Sequence, residues 1–247
     1  MTTFIASPAA DSPVRLSGTI RHYRVTRDTA SFFFTQSDQS KFGAIAVAAS
    51  LAGLGGQAMA TAANATSLEE EADFVQFRID GVELKGWLWR SPFKEGDVVD
   101  VAAEWRDDHY EVLGVVRLAD RTIALYPHCT RGRRTHVKNA MKWWFYVSLF
   151  FDIGMVALSA MLNTPVVEYW TGAFEDGFGW FMGGMHVVIA IAVYSMTKQW
   201  MPFVRVAEKV FQTLGLPNPA GVDLVKWSKG KHKPEDSFEY GAMFFRY

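Results

Sequence analysis

The chain has 247 residues, with 25 Lys and Arg against 26 Asp and Glu, a formal net charge of -1 and 49% hydrophobic residues. A balance so close to neutral gives no global electrostatic case for nucleic acid, although basic residues cluster at 131–142. The single cysteine, Cys129, excludes an intramolecular disulfide and any CxxC zinc or redox motif, and it suits a reducing compartment.

Residues 1–13 read as an N-terminal tail without the basic and apolar regions of a secretory signal, so membrane entry is expected from an internal segment. Residues 14–127 read as a cytoplasmic β-rich domain. Short β-type runs at 16–20 and 31–34 flank a polar Arg27-Asp28-Thr29 turn signal. Residues 74–79 alternate apolar and polar, Asp80-Gly81 is a hairpin turn, and 82–89 return. Turns at 93–97 and 106–109 then bracket β-branched runs at 98–105 and 110–117, and 120–129 supply a last strand and turn. Five or six short strands at this spacing predict a small closed barrel or sandwich of OB or SH3 type. Residues 42–68, uncharged and rich in Ala and Gly, interrupt it. Strands of one domain on either side argue against a single crossing there, which leaves a helix or loop packed on the barrel; the alternatives are a re-entrant or membrane-inserting segment, or flanking strands that do not form one domain.

Residues 128–142 read as a basic linker into a hairpin at 143–200. Its arms are 143–163, with Asp152 the one charge, and 178–198, uncharged as far as Met196. Both have the length a helix needs to span hydrocarbon, and both carry Trp or Tyr near an end. Two buried helices of a soluble protein are the alternative. Arg131, Arg133, Arg134, Lys138 and Lys142 precede the first arm and Lys198 follows the second, whereas the connecting 164–177 carries only Glu168, Glu175 and Asp176. The positive-inside rule then places both termini in the cytoplasm. Residues 201–214 show amphipathic helical spacing, suited either to the membrane interface or to packing on the β-domain. The remainder to Tyr247 is a basic and aromatic tail, read as a headgroup contact or as solvated chain. The fold class is thus an α+β membrane protein: a small β-barrel domain, a two-helix transmembrane hairpin and an amphipathic C-terminal segment.

No catalytic constellation emerges: there is no GxSxG elbow, Walker loop, HExxH or dinucleotide fingerprint, so no enzyme activity, cofactor or metal site is expected. His128 beside Cys129 is the one soft-ligand neighbourhood, with His136 nearby, and it lacks further ligands at suitable spacing. In the hairpin, Asp152 and His186 fall at comparable depth near mid-membrane, where ionisable groups are costly and commonly face a partner. They are the candidate intramembrane functional residues. The alternative is a neutral Asp152 bonded to Ser148 or Ser159. Gly179 and Gly183, with Gly184, have the small-xxx-small spacing of close helix packing, which points to a homo-oligomer.

Residues 86–97 (GWLWRSPFKEGD) and 120–133 (DRTIALYPHCTRGR) resemble Gram-negative proteins described as type VI secretion system effectors, and the similarity continues through Lys142-Trp143-Trp144 into the hairpin. The resemblance implies a bacterial inner-membrane protein that acts by inserting its hairpin and permeabilising the bilayer, with lipid and a secretion-system or immunity protein as partners. It carries over no catalytic residue. A resident immunity or accessory protein, or an OB-domain membrane scaffold, is the alternative.

Overall fold

The computed structural model describes residues 13–30, 70–106, 109–161, 171–172 and 177–247. The expected strand at 31–34, the Ala/Gly-rich 42–68 and most of the 1–13 tail and 164–177 loop lie outside the described residues. The chain divides into two compact units, one of Met1–Cys129, Thr213–Gly215 and Leu224–Tyr247, the other of Thr130–Gln212 and Leu216–Asp223.

The first unit contains β1 (Val14–Thr19), β2 (Arg21–Ala30), β3 (Glu70–Ile79), β4 (Val82–Leu88), β5 (Val98–Arg106), β6 (His109–Arg117), β7 (Thr122–Leu125) and β8 (Phe244–Arg246). Asp80 and Gly81, at φ 50° and 85°, make the β3–β4 turn with both central residues left-handed, the geometry a two-residue hairpin needs. The ladder runs β1-β5-β6-β4-β3-β2, with β7 paired to β6 and β8 to β7. Between these strands every pairing described is antiparallel except a short parallel contact of β4 with β6 at Leu84 and Lys85. The sheet is open, because β1 and β2 stand at its two ends and do not pair with each other, so the closed barrel expected from strand spacing is not shown.

The bend that separates β1 from β2 is at Ile20, not at Arg27-Asp28-Thr29 as the turn signal predicted. Thr19 pairs with Val98 of β5, whereas Arg21 pairs with Arg78 of β3. Around His22, at φ 55°, the chain breaks register, and the N–H groups of His22 and Tyr23 donate to the Glu95 carboxylate at 3.0 and 2.7 Å. A carboxylate thus satisfies donors that the bend removes from the ladder. Residues 27–29 continue β2 because this end strand is exposed and its Arg27 pairs across with Glu71 at 2.8 Å.

Alternation sends Val75, Phe77, Ile79, Leu84, Leu88, Val99, Val101, Ala103, Val112 and Val115 inward, where Ile20, Phe93, Ala124 and Phe244 join them. Each large apolar side chain buried there contributes about 1.5–3 kcal/mol. Gly86 is required by the approach of β4 to β6: a Cβ at this position would lie 2.6 Å from the Val112 carbonyl oxygen.

The basic and aromatic tail differs from both readings made of it. Phe244 and Phe245 are buried, β8 adds to β7, and Arg246 is held by Asp236, Asp120 and Thr122. The end of the chain therefore belongs to the β-unit, because its aromatics and its one buried cation find partners there. The short α4 (Leu224–Trp227) belongs to the same unit.

The second unit contains α1 (Arg133–Met161), α2 (Phe178–Gln199) and most of α3 (Met201–Thr213). Helix α1 starts ten residues before the expected arm, so most of the supposed linker is helix. Its start is tied down by Gly132 N–H to Val222 O at 3.0 Å, Arg133 N–H to the Glu208 carboxylate at 2.8 Å and Thr135 Oγ1 to Gly221 O at 3.0 Å. A carboxylate at the first turn both caps a free donor and complements the helix dipole. Helices α1 and α2 are long and apolar enough to cross a membrane. No residue of α2 is buried, and Phe150 and Trp180 are 79% and 89% exposed, unlike core helices of a soluble protein. In α3, Phe203, Val204, Ala207, Val210 and Phe211 are buried, so its apolar face is taken up inside the protein and not by a membrane interface.

Candidate functional site

Ser148 and Asp152 lie one helical turn apart on α1 and therefore share a face. Helix α2 runs antiparallel to α1 and brings His186 opposite Asp152: His186 Nε2 is 3.4 Å from Asp152 Oδ2. The structure thus brings together the two ionisable residues that the sequence singled out, near the middle of both helices. The Phe151 ring meets the His186 imidazole edge to face at 6.3 Å, and Trp144 Nε1 donates to the His186 carbonyl at 3.4 Å.

Ser148 was named only as an alternative partner of Asp152, and it does not fill that role. It is buried, and among the described residues its Oγ has no hydrogen-bond partner; nor has His186 Nδ1. A buried polar atom left unpaired costs about 1–3 kcal/mol. Carboxylate and imidazole therefore meet, with a hydroxyl one turn away on the same face of α1, and two of the three groups keep unused hydrogen-bonding capacity. Such a set can hold a proton and pass it between oxygen and nitrogen. The Ser159 side chain lies outside the described residues.

The glycines sit differently from the ionisable pair. A Cβ added at Gly183 or Gly184 would meet nothing within 4 Å, so these two positions are not where α1 and α2 approach each other. Of the flanking cations, Arg131 pairs with Asp223 at 3.3 Å, whereas Arg133, Arg134, Lys138, Lys142 and Lys198 are exposed.

In the β-unit, His128 Nε2 lies 2.8 Å from Glu70 Oε2, with the Trp89 ring 4.8 Å away centroid to centroid. Burial pushes the imidazole below its ordinary value and Glu70 opposes that shift. Cys129 beside it is fully buried, and Tyr126 is pushed up to about 12, first by burial and then by Cys129 and Glu111. His136 faces the Thr197 carbonyl at 3.1 Å. Among the described residues no three His, Cys, Asp or Glu side chains are grouped to hold a metal ion.

A second charged cluster ties the tail to β6 and β7. Arg117 contacts Asp97 and Asp120, and Arg246 contacts Asp236 and Asp120. Burial alone would raise Asp120, but hydrogen bonds from Arg117 and Thr122 overcome it and hold the carboxyl well below the usual range. No chemistry is needed to explain this network, since each charge in it has a partner.

No protein-family model matches the chain, and no curated protein or solved structure matches it.

Proposed function

We propose that the chain is an inner-membrane protein linked to type VI secretion, an effector that inserts α1 and α2 as a hairpin and disturbs bilayer permeability without enzymatic chemistry. The Asp152–His186 contact carries this reading. A carboxylate and an imidazole facing each other midway along two otherwise apolar helices are expensive in hydrocarbon, and groups kept there commonly serve a proton or ion path. Asp152 remains 41% exposed on a single hairpin, which favours further copies around the pair. The exposed cations at the start of α1 and the end of α2 favour cytoplasmic termini. Reporter fusions at Tyr247 and within 164–177 test that topology: opposite signals are expected, and matching signals would remove the hairpin. Expression in cells loaded with a potential-sensitive dye tests the activity, with loss of potential expected in cells that lack a cognate immunity gene.

The fine architecture of the β-domain belongs to the same proposal. If β1 and β2 are one strand bent at Ile20, the ladder reads first-second-third-fifth-fourth-first, with a parallel third–fifth contact, which is the order of a partly open OB barrel. The outward face of its second and third strands carries Phe74 and Trp87, with ring centroids 5.0 Å apart. That aromatic pair favours the second reading, a resident accessory or immunity protein whose β-domain binds a partner. Rescue of cells from another toxin, with no harm on expression alone, would select it.

A further inference from the structure

We infer that the first three turns of α1 form a binding surface for anionic phospholipid headgroups, built by Arg134, Lys138 and Lys142. This rests on the membrane-spanning reading and goes beyond charge bias in orientation. Because the helix begins at Arg133, the three cations recur every fourth residue and share one stripe, about 12 Å long at 1.5 Å per residue. As loop residues they would have no fixed alignment. All three are exposed, and no acidic side chain among the described residues pairs with them. Arg131, just before the helix, is by contrast consumed by Asp223. His136, about 160° around the helix from Lys138, is engaged by Thr197 O, so the stripe faces away from α2.

The depth of the stripe identifies its ligand. The exposed Trp143 follows Lys142 directly, and the exposed Tyr194 lies one turn before Lys198 on α2. Aromatic residues of this kind settle at the headgroup level and set the height of everything above them. Lys198 is placed at the same height as the stripe, since Thr197 O meets His136. Four cations thus gather at one end of the hairpin around the height of Tyr194 and Trp143, within reach of lipid phosphates through long side chains that snorkel outward. A water-soluble acidic partner would not need cations at that depth, next to these aromatic residues.

The full chain reconstituted in vesicles of phosphatidylcholine mixed with phosphatidylglycerol provides the test, read as quenching of tryptophan by brominated lipid of either class. Brominated phosphatidylglycerol should associate several-fold more strongly than brominated phosphatidylcholine, and the preference should shrink with added salt. Combining Arg134→Gln, Lys138→Gln and Lys142→Gln should bring the ratio close to one while the protein stays resistant to carbonate extraction. Combining Lys229→Gln and Lys231→Gln in the C-terminal segment should leave it unchanged. Equal association of both lipids with the parent, or a preference that survives the triple substitution, would overturn the inference while the spanning reading stands. Extraction of the parent by carbonate would overturn the spanning reading itself. A preference lost to inorganic phosphate but not to chloride of equal ionic strength would assign the stripe to free phosphate and overturn the lipid assignment.

Discussion

Asp152 and His186 face each other from antiparallel helices, Oδ2 to Nε2 at 3.4 Å, though 33 residues of chain separate them. On the proposal that this pair lies in a proton or ion path, Asp152→Asn keeps most hydrogen bonding and removes the charge. Membrane insertion should persist or improve, since a central Asp costs about 2.5–3.5 kcal/mol on insertion scales. Depolarisation on expression should drop markedly, and His186→Ala should do the same without adding to it, as coupled neighbours do. Full depolarisation by a normally inserted Asp152→Asn protein would show Asp152 to be merely tolerated.

Arg246 is almost fully buried and bonds Asp236 through both Nη atoms at 3.0 Å. Arg246→Ala leaves buried carboxylates without their cation and should cost about 3–5 kcal/mol. Thermal unfolding of the purified full chain in detergent measures it. Lys229→Ala, a substitution at an exposed position, should leave the midpoint within error.

Acid should act through the same network. Asp120 is depressed below its ordinary 3.8 in the folded chain, so its contribution is fully present above pH 3.8 and is lost as pH falls toward the lower folded value. Asp120→Asn should remove that part of the acid loss. An unchanged unfolding profile below pH 3.8 in this variant would mean that other carboxylates govern it.

His128 titrates in a different window. Burial lowers its folded value from 6.5, so the unfolded chain takes up a proton first and stability should decline as pH falls below 6.5. His128→Asn cannot titrate and tolerates the left-handed backbone at φ 65°, so it should flatten this slope. A parent whose midpoint is level across this window would refute the assignment.

Gly86→Ala tests the approach of β4 to β6. A methyl group 2.6 Å from the Val112 carbonyl forces the strands apart, with an expected loss of about 1–3 kcal/mol. Gly81→Ala is the contrast: its Cβ meets nothing within 4 Å, and its cost comes only from the left-handed backbone at φ 85°. Comparable unfolding midpoints for Gly86→Ala and the parent would argue against close packing there.

Much of this architecture is local, and local features are legible in a sequence. The Asp80-Gly81 hairpin, the runs that became β3 to β6 and the two apolar helices follow from turn chemistry, period-two alternation and unbroken hydrophobic length. The depth argument that matched Asp152 with His186 worked because an antiparallel hairpin fixes heights along two helices of known rise. Other features depend on contacts between distant residues, which periodicity cannot register. The break at Ile20 is decided by two competing partners, β5 on one side and β3 on the other, and by Glu95 taking the freed N–H groups. The early start of α1 depends on Glu208, Val222 and Gly221, and the burial of Phe245 and Arg246 on β7, Asp236 and Asp120. Sequence alone placed the charges and apolar runs along the chain; only tertiary structure decided which of them met, because pairing energy depends on distance in space and not on separation in sequence.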